Sequence, residues 1–347
     1  MTNTLQASDL GVAVVRRPNR VRLLWILVVA GVLVILIAGS LAFGSRFVAW
    51  SDLVLGLQGA TDNLSQAAVV KRIPRTILAI VVGASLGLAG AVMQAVTRNP
   101  LADPGILGVN SGAALAVVIG IAWFGISTAT SYIWIAIFGA MVAAVVVYTI
   151  GSLGRGGATP LKLALAGAAM TAALASMITA VALPRGDISA TIRSWQIGGV
   201  GGASFDSILQ LLPFFLVGSA ICLLSARSLN SLALGDDLAA SLGERVAVVR
   251  AFSAFGAVLL CGAAVAIAGP IGFVGLVVPH FCRLLVGVDQ RWLLPFSALT
   301  GAGLLVAADI LGRLVARPSE IDVGIITALL GAPFFIALVR RQKVRAL

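Results

Sequence analysis

The chain has 347 residues, of which 60% are hydrophobic and only 11% are charged, and its formal net charge is +11. Soluble domains are about 45–50% apolar and about 25% charged, so this composition excludes a soluble enzyme and a disulfide-stapled secreted domain. Long uninterrupted apolar runs also exclude an outer-membrane barrel, whose strands alternate apolar and polar residues. Most Lys and Arg residues flank these runs, where they anchor helices rather than bind nucleic acid.

Stretches without Asp, Glu, Lys or Arg predict the membrane spans, because one crossing takes about 20 apolar residues. They occur at 23–45, 76–97, 104–154, 163–184, 207–226, 251–282, 292–308 and 323–339. Two are longer than one crossing and are predicted to divide, at residues 125–132 and at the Gly/Pro segment 269–272. The sequence therefore predicts an all-α membrane protein, a single transmembrane domain over residues 1–347, with about ten transmembrane helices.

The N-terminal segment, residues 1–22, is predicted to be a cytoplasmic tail. Its arginines precede the uncharged run 23–45, which exceeds the 7–15-residue core of a cleaved signal peptide. An even number of spans places both termini on one side of the membrane. If that side is the cytoplasm, sixteen Lys and Arg residues lie inside and eight outside, a bias that predicts cytoplasmic termini.

A weak internal repeat is present. Residues 100–109, after span 2, align with 270–279, after span 7, and residues 165–168 align with 329–332. The two copies are five spans apart, so spans 2–5 and 7–10 are predicted to be inverted repeats, as in many transporters. Chance similarity between Gly- and Pro-rich membrane loops is the alternative.

The sequence lacks residues that many enzymes and ion-driven carriers use. His280 is the only histidine and none of the three lysines follows a glycine, so neither a multi-histidine zinc site nor a GKS or GKT phosphate loop is expected. Asp309 is the only acid within a predicted span, and Arg313 lies one turn later, where the two side chains can pair. We therefore expect a non-catalytic membrane subunit; an ion-driven secondary transporter and a membrane enzyme or scaffold are the alternatives.

The most polar interior stretch, residues 227–250, is predicted to be cytoplasmic. Within it, residues 234–243 indicate a short helix with an acidic first turn that ends at Gly243. Leu234, Leu238 and Leu242 repeat every four residues and favour a small apolar surface that fits a socket on a partner protein. A solvated loop helix is the alternative.

Basic residues are predicted on the opposite face of the membrane, where Lys71, Arg72 and Arg75 open span 2 and Arg313 and Arg317 follow span 9. Arg72 and Arg75 are three residues apart, so both lie on one face of a helix and present forked donors to carboxylates. Lipid phosphates are the alternative partners.

Several long motifs resemble those of the FecCD family of ABC importer permeases, whose members carry ferric siderophores, haem and cobalamin. The matching blocks follow the family's order and comprise residues 72–78, 90–94, 97–112, 234–243, 269–280 and 331–335. Within the family, the chain is most similar to ferric enterobactin-type permeases. The resemblance implies a type II ABC importer permease fold and ATP-driven uptake of an iron–siderophore complex, with haem and cobalamin as alternative substrates.

The resemblance also implies roles for particular positions. It makes Arg72, Arg75 and Arg313 the residues that dock a substrate-binding protein. It places the ATPase-coupling helix at Leu234, Gly235, Asp236, Asp237, Ala239, Leu242 and Gly243. Candidate residues for the translocation path between two permease subunits are Met93, Gln94, Asn110, Met170, Thr171, Trp195, Gln196, Ser204 and Thr327.

The implied assembly contains a second permease, either a paralogue or an identical copy, and two ATPase subunits that hold ATP and Mg²⁺. A periplasmic or lipid-anchored substrate-binding protein delivers the ferric siderophore. The implied location is the cytoplasmic (inner) membrane of a bacterium. The chain itself is expected to bind no metal, cofactor or nucleic acid.

Overall fold

The computed structural model describes residues 18–126, 129–153, 160–186 and 195–343, and these residues form helices and loops without a strand. Residues 1–17 of the predicted N-terminal tail lie outside the described part. In chain order the helices are α1 (Asn19–Ala42), α2 (Trp50–Leu57), α3 (Leu64–Thr97), a 3-10 helix (Pro104–Leu107), α4 (Val109–Phe124), α5 (Ala129–Ser152), α6 (Pro160–Ala182), α7 (Phe205–Leu224), α8 (Ala226–Leu232), α9 (Asp236–Ser241), α10 (Val246–Ala268), α11 (Val274–Val286), α12 (Gln290–Val315) and α13 (Val323–Lys343).

Ten of these helices account for the predicted spans. Seven, α1, α3, α5, α6, α7, α10 and α12, are long and apolar enough to cross a membrane, and three shorter apolar helices, α4, α11 and the first part of α13, complete the set. Both predicted breaks are confirmed, because α4 ends before residue 125 and α11 begins after residue 273. The chain is therefore an all-α multi-pass membrane protein.

Helix α3 begins twelve residues before the predicted start of span 2, and α1 begins four residues before the predicted start of span 1. The start of α3 is fixed by Asn63, whose side-chain oxygen accepts a hydrogen bond from the backbone N–H of Gln66 at 2.8 Å. At 1.5 Å per residue, the 34 residues of α3 extend about 51 Å. Since the hydrocarbon core is about 30 Å thick, α3 projects beyond it and carries charged residues that a search for uncharged runs excludes.

Helix α3 lies at the centre of the bundle. In the most apolar part of α3 78% of the residues are buried, against 11% in α6 and 6% in α1. Small residues let its neighbours approach closely, since a Cβ built on Gly83 would overlap the backbone of Gly301 in α12. Helices α1 and α6 therefore lie at the periphery, and α3 and α12 form a tightly packed pair.

The two inverted repeats are α3–α6 and α10–α13. Each begins with a long helix, continues after a Pro/Gly break into a shorter helix of 16 or 13 residues, and ends with two long helices. The repeats meet where a Cβ on Gly90 would overlap the carbonyl oxygen of Gly275. Beside this contact, Gln94 Nε2 donates to the carbonyl oxygens of Gly275 and Leu276 at 3.1 and 3.3 Å.

Candidate functional site

Helix α3 separates two groups of candidate residues. Arg72 and Arg98 are 26 positions apart in one continuous helix and its C-cap, which corresponds to about 39 Å. We call the end of the bundle around Arg72, Arg75 and Arg313 the arginine end, and the end around Arg98 and α9 the leucine end. The sequence placed these groups on opposite faces, and the length of α3 agrees with that separation.

At the arginine end, Asp309 is fully buried and forms ion pairs with two arginines. Arg75 approaches its Oδ1 with Nε at 2.9 Å and Nη2 at 2.8 Å, and Arg313 Nη2 lies 2.8 Å from its Oδ2. The predicted Asp309–Arg313 pair is therefore confirmed. Arg75 also reaches Glu320 Oε2 through Nη1 at 2.6 Å, so it joins α3 to α12 and to the segment between α12 and α13.

Glu320 lies outside the membrane-spanning helices and its carboxylate is partly exposed. Burial alone would raise its pKa, but hydrogen bonds from Arg75 and Ser45 outweigh that effect and hold the pKa of Glu320 below its usual value. The carboxylate is therefore ionised at neutral pH and is the exposed member of the network at the arginine end.

Arg72 is turned toward this chain's own backbone. Its side chain is buried, and its Nη1 and Nη2 donate to the carbonyl oxygens of Leu41, Ala42 and Arg46 at 2.9, 3.0 and 2.8 Å. The last carbonyl groups of a helix have no partner within it and carry partial negative charge. Arg72 therefore caps the C-terminal end of α1.

Arg313 has the same structural role. It is 1% exposed, and it donates to the carbonyl oxygens of Ser40 and Phe43 at 3.0 and 3.1 Å and to Ser40 Oγ at 2.7 Å. These bonds leave Arg72 and Arg313 almost no surface for a second protein, whereas Arg75 keeps a partly exposed guanidinium. Docking by the three arginines stays a prediction, with Arg75 as its most accessible member.

Other basic side chains are exposed at this end. Arg46, Lys71 and Arg317 are exposed, and Arg317 Nε donates to the carbonyl oxygen of Gly44 at 2.9 Å. Motif matching did not select them, but all three belong to the eight basic residues assigned to the outer side by the charge count. Their place among those eight outer residues was the available signal.

At the leucine end, the short helix predicted within residues 234–243 is present but covers only Asp236–Ser241 (α9). Helix α9 follows Gly235, which has φ +118°, and it ends before Gly243, which has φ +88°. Leu234, Leu238 and Leu242 are 59%, 57% and 64% exposed. The predicted exposure of the three leucines is therefore confirmed, with Leu238 on α9 and Leu234 and Leu242 in the turns that flank it.

Some of the other predicted coupling residues contact the helix bundle, and others are exposed. Ala239 is fully buried against the bundle and Asp237 is exposed. Asp236 forms ion pairs with Arg98 and, at 2.8 Å, with Arg250. The leucines and Asp237 thus face outward from the bundle, while Ala239 and Asp236 attach α9 to it.

The candidate path residues do not form one surface. Asn110 and Gln196 line the same polar cavity of about 320 Å³. Its further polar groups are Ser111 and Thr179, of which Thr179 was missed because no motif marks it. Met170 lines a separate apolar cleft between α4, α5 and α6, and Thr171 and Trp195 are half-buried.

The remaining candidate path residues are buried or take part in the packing and capping of helices. Met93, Gln94 and Thr327 are only 2–3% exposed, and Thr327 Oγ1 donates to a carbonyl oxygen of its own helix at 3.1 Å. Ser204 is the N-cap of α7. Asn110 and Gln196 are therefore the pair of candidates that line a shared polar space.

The described residues contain no group of three or more His, Cys, Asp or Glu side chains placed to hold a metal ion. His280 instead packs edge-on against Phe334, with ring centroids 5.8 Å apart. The three cysteines, Cys222, Cys261 and Cys282, are buried and unpaired.

Comparison with known proteins decides the family. The model of the FecCD transport family matches residues 32–341. The chain belongs to the FecCD transport family. This FecCD permease is 41% identical over 322 residues to the probable siderophore transport system permease protein YfiZ of Bacillus subtilis (strain 168), a match that covers 91% of the chain and 96% of YfiZ.

Two further likenesses extend over almost the whole permease. The ferric enterobactin transport system permease protein FepD of Escherichia coli (strain K12) is 42% identical over 318 residues, with 90% of this chain and 95% of FepD covered. A solved structure described as an inward-facing conformation of a metal-chelate type ABC transporter superposes with a TM-score of 0.80 and 30% identity, covering 92% of this chain and 99% of that one. Other relatives are named for the import of ferric hydroxamate, ferric citrate, haemin and cobalamin.

The FecCD permease is thus a membrane component of a metal-chelate type ABC importer and has the type II ABC importer permease fold. Membership of this family implies an ATPase, a substrate-binding protein and a second permease as its partners.

Proposed function

We propose that this FecCD permease is the membrane-spanning, non-catalytic subunit of an ATP-driven importer of an iron–siderophore complex. The observation that carries the proposal is the exposed leucine surface of α9, at the opposite end of the bundle from the arginine cluster. One end offers an apolar surface to a motor protein, and the other offers cationic groups to a cargo carrier. The family membership supports the same division of tasks.

The ATPase contact is proposed at residues 227–250, with α9 as the coupling helix. Three leucines more than half exposed to solvent leave an apolar surface that a partner would cover. Two ATPase subunits would bind ATP and Mg²⁺, and this chain would bind neither. A second permease, identical or paralogous, would complete the path.

The substrate-binding protein is proposed to dock at the arginine end. There Arg75 is partly exposed, and Arg46, Lys71 and Arg317 surround it with further positive charge. Arg72 and Arg313 would support this surface by fixing the C-terminal end of α1, because Arg46 lies just after that end. Acidic groups of the binding protein are the complementary chemistry.

The proposed location is the cytoplasmic membrane of a bacterium, with both termini and the leucine end in the cytoplasm. This orientation follows the two-to-one distribution of Lys and Arg residues. It places the arginine end on the periplasmic or extracellular side, where a lipid-anchored or periplasmic binding protein has access.

An iron–siderophore complex is the proposed substrate because the relatives YfiZ and FepD carry siderophore and enterobactin names. The cavity shared by Asn110 and Gln196 offers neutral hydrogen-bonding groups rather than charges. Such a lining suits a chelate that must pass without being held tightly, since the iron stays inside its chelator. Haem and cobalamin, named for other relatives, are the alternatives.

Uptake by the isolated complex tests the substrate and the energy source. The tagged chain is purified from its native membrane with its partners and reconstituted in vesicles that are given ferric enterobactin, ferric citrate, haem or cobalamin. We expect uptake of the ferric siderophore that requires ATP and the binding protein. Uptake driven by a proton gradient without ATP would refute the importer class, and a preference for haem or cobalamin would correct the substrate.

A pair of variants tests the ATPase contact. Leu238→Arg places a charge on the exposed surface of α9, and we expect the ATPase to be lost from the purified complex together with uptake. Leu183→Arg is the control, because Leu183 is 80% exposed and lies just after α6, away from α9. Retention of the ATPase by the Leu238 variant would exclude this contact.

A further inference from the structure

One carboxylate attaches α9 to two membrane-spanning helices. Asp236, the first residue of α9, accepts Arg98 Nη2 from the end of α3 and Arg250 Nη2, at 2.8 Å, from the start of α10. Among the described residues of α9, Asp236 alone forms an ion pair with the bundle. Its neighbour Asp237 is exposed and forms no ion pair within the described part of the chain.

Arg98 holds an uncommon backbone conformation that serves this contact. It is the C-cap of α3 and has φ 49° and ψ 33°, a left-handed conformation that usually belongs to glycine at this position. A glycine would relieve the backbone cost but would lose both side-chain contacts. Arg98 Nε also donates to the carbonyl oxygen of Leu232, the last residue of α8, at 2.7 Å. The arginine therefore binds the segments on both sides of Gly235.

Helix α3 is packed tightly enough to move as a unit when α9 is displaced. Its contacts with α11 include the two hydrogen bonds from Gln94, and its glycines pack directly on the backbone of α12. Packed interiors deform little and transmit strain. A movement of Asp236 would therefore pass to the helices rather than be absorbed in a loop.

We propose that Asp236 is a positioning residue that couples α9 to the transmembrane helices through Arg98 and Arg250. When the ATPase displaces α9, the two ion pairs carry that displacement to the ends of α3 and α10. The inference rests on the proposed function, in which α9 is the ATPase contact.

The test uses the complete importer reconstituted with its binding protein loaded with ferric enterobactin. Asp236→Asn keeps the size of the side chain and removes its charge. We expect the complex to assemble. The stimulation of ATP hydrolysis by the loaded binding protein and the amount of iron transported per ATP should each fall about fivefold or more, because coupling between two sites is worth at least about fivefold. Asp236→Glu, which keeps the carboxylate, should restore part of both.

Asp206→Asn is the matched control. It removes the same charge from an exposed position in the first turn of α7, outside residues 227–250. Asp206 forms no ion pair within the described residues, so stimulation should stay within about twofold of the unmodified importer. Arg98→Gln should reproduce part of the loss seen with Asp236→Asn, because Arg250 can still pair with Asp236. The double variant should lose less than the sum of the two single losses, because the singles share the Arg98–Asp236 pair.

Stimulation within twofold of the unmodified importer in the Asp236→Asn complex would overturn the inference. If that variant fails to assemble, Arg98→Gly decides, because glycine suits the left-handed backbone and leaves α9 unchanged; normal coupling there would also overturn the inference. Failure of the proposed function has a different signature, since the unmodified chain would then purify without an ATPase or show no stimulation.

Discussion

Replacement of Asp309 by Asn tests the buried network at the arginine end. The change keeps the shape of the side chain but removes the negative charge that two arginines share. Arg313 is 1% exposed, so it cannot recover hydration in place of its lost counter-charge. Arg75 keeps Glu320 as a charged partner, whereas Arg313 keeps only neutral acceptors, which are Ser40, Phe43 and the backbone carbonyl oxygen of residue 309.

The magnitude follows from burial. Removing one partner from a buried ion pair costs about 3–5 kcal/mol, because the remaining charge stays in a medium of low polarity. Glu320→Gln removes a charge of the same sign from the same network, but its side chain is 37% exposed. Exposed pairs contribute at most about 1 kcal/mol, so the Asp309 variant should lose several times more stability than the Glu320 variant.

Both free energies are measurable by unfolding the purified chain in mixed micelles with increasing denaturing detergent. A double-mutant cycle between Asp309→Asn and Arg313→Gln should show that the two losses are less than additive. The reasoning is refuted if Asp309→Asn and Glu320→Gln reduce the free energy of unfolding equally, or if the two losses in the cycle add without interaction.

Three further predictions use the same preparation. Gly90→Ala should destabilise the chain by about 1–3 kcal/mol, because its Cβ would overlap the carbonyl oxygen of Gly275. Gly31→Ala, in open space within α1, should not lower the unfolding midpoint, because alanine favours a helix over glycine. The pKa of Glu320 is lowered in the folded chain, so the stability that its carboxylate contributes should be fully present above its ordinary pKa of 4.5. That contribution should disappear as the pH falls through the lower pKa of the folded chain. The measurement is the difference in unfolding midpoint between the unmodified chain and Glu320→Gln from neutral pH downward, and a difference that grows on acidification contradicts the prediction. A maleimide reagent should label Cys222, Cys261 and Cys282 only after denaturation, because the folded chain buries all three. Mass spectrometry measures the labelling, and rapid labelling of the native protein would contradict this prediction by showing that the helices open.

The spans were predictable from the sequence because a membrane imposes a simple requirement, a long apolar run, on every crossing. The same rule failed at the start of α3. Arg72 and Arg75 interrupt the uncharged run, but they lie within a helix that continues beyond the hydrocarbon core. Short helices such as α2 also escaped the search, because eight residues cannot form a crossing.

The exposure of a candidate residue was predictable where it depends on neighbouring residues in the sequence. The four-residue spacing of Leu234, Leu238 and Leu242 indicated an exposed apolar surface, and the structure confirms that all three side chains are exposed. Contacts between distant residues were not predictable, since Arg98 and Asp236 are 138 residues apart. The bonds of Arg313 to the end of α1 span still longer separations, so its burial is a tertiary property that no local motif contains.

The single-piece construction of α3 has a geometric consequence. Each residue of an α-helix advances the direction of its side chains by about 100°. The number of residues between Arg75 and Arg98 therefore sets the rotational phase of the arginine end relative to the leucine end. Inserting or deleting one residue would leave the composition of α3 almost unchanged, yet it would turn one of its two ends by about 100° toward different neighbours. The number of residues between the two ends therefore shapes both surfaces as much as the side chains do.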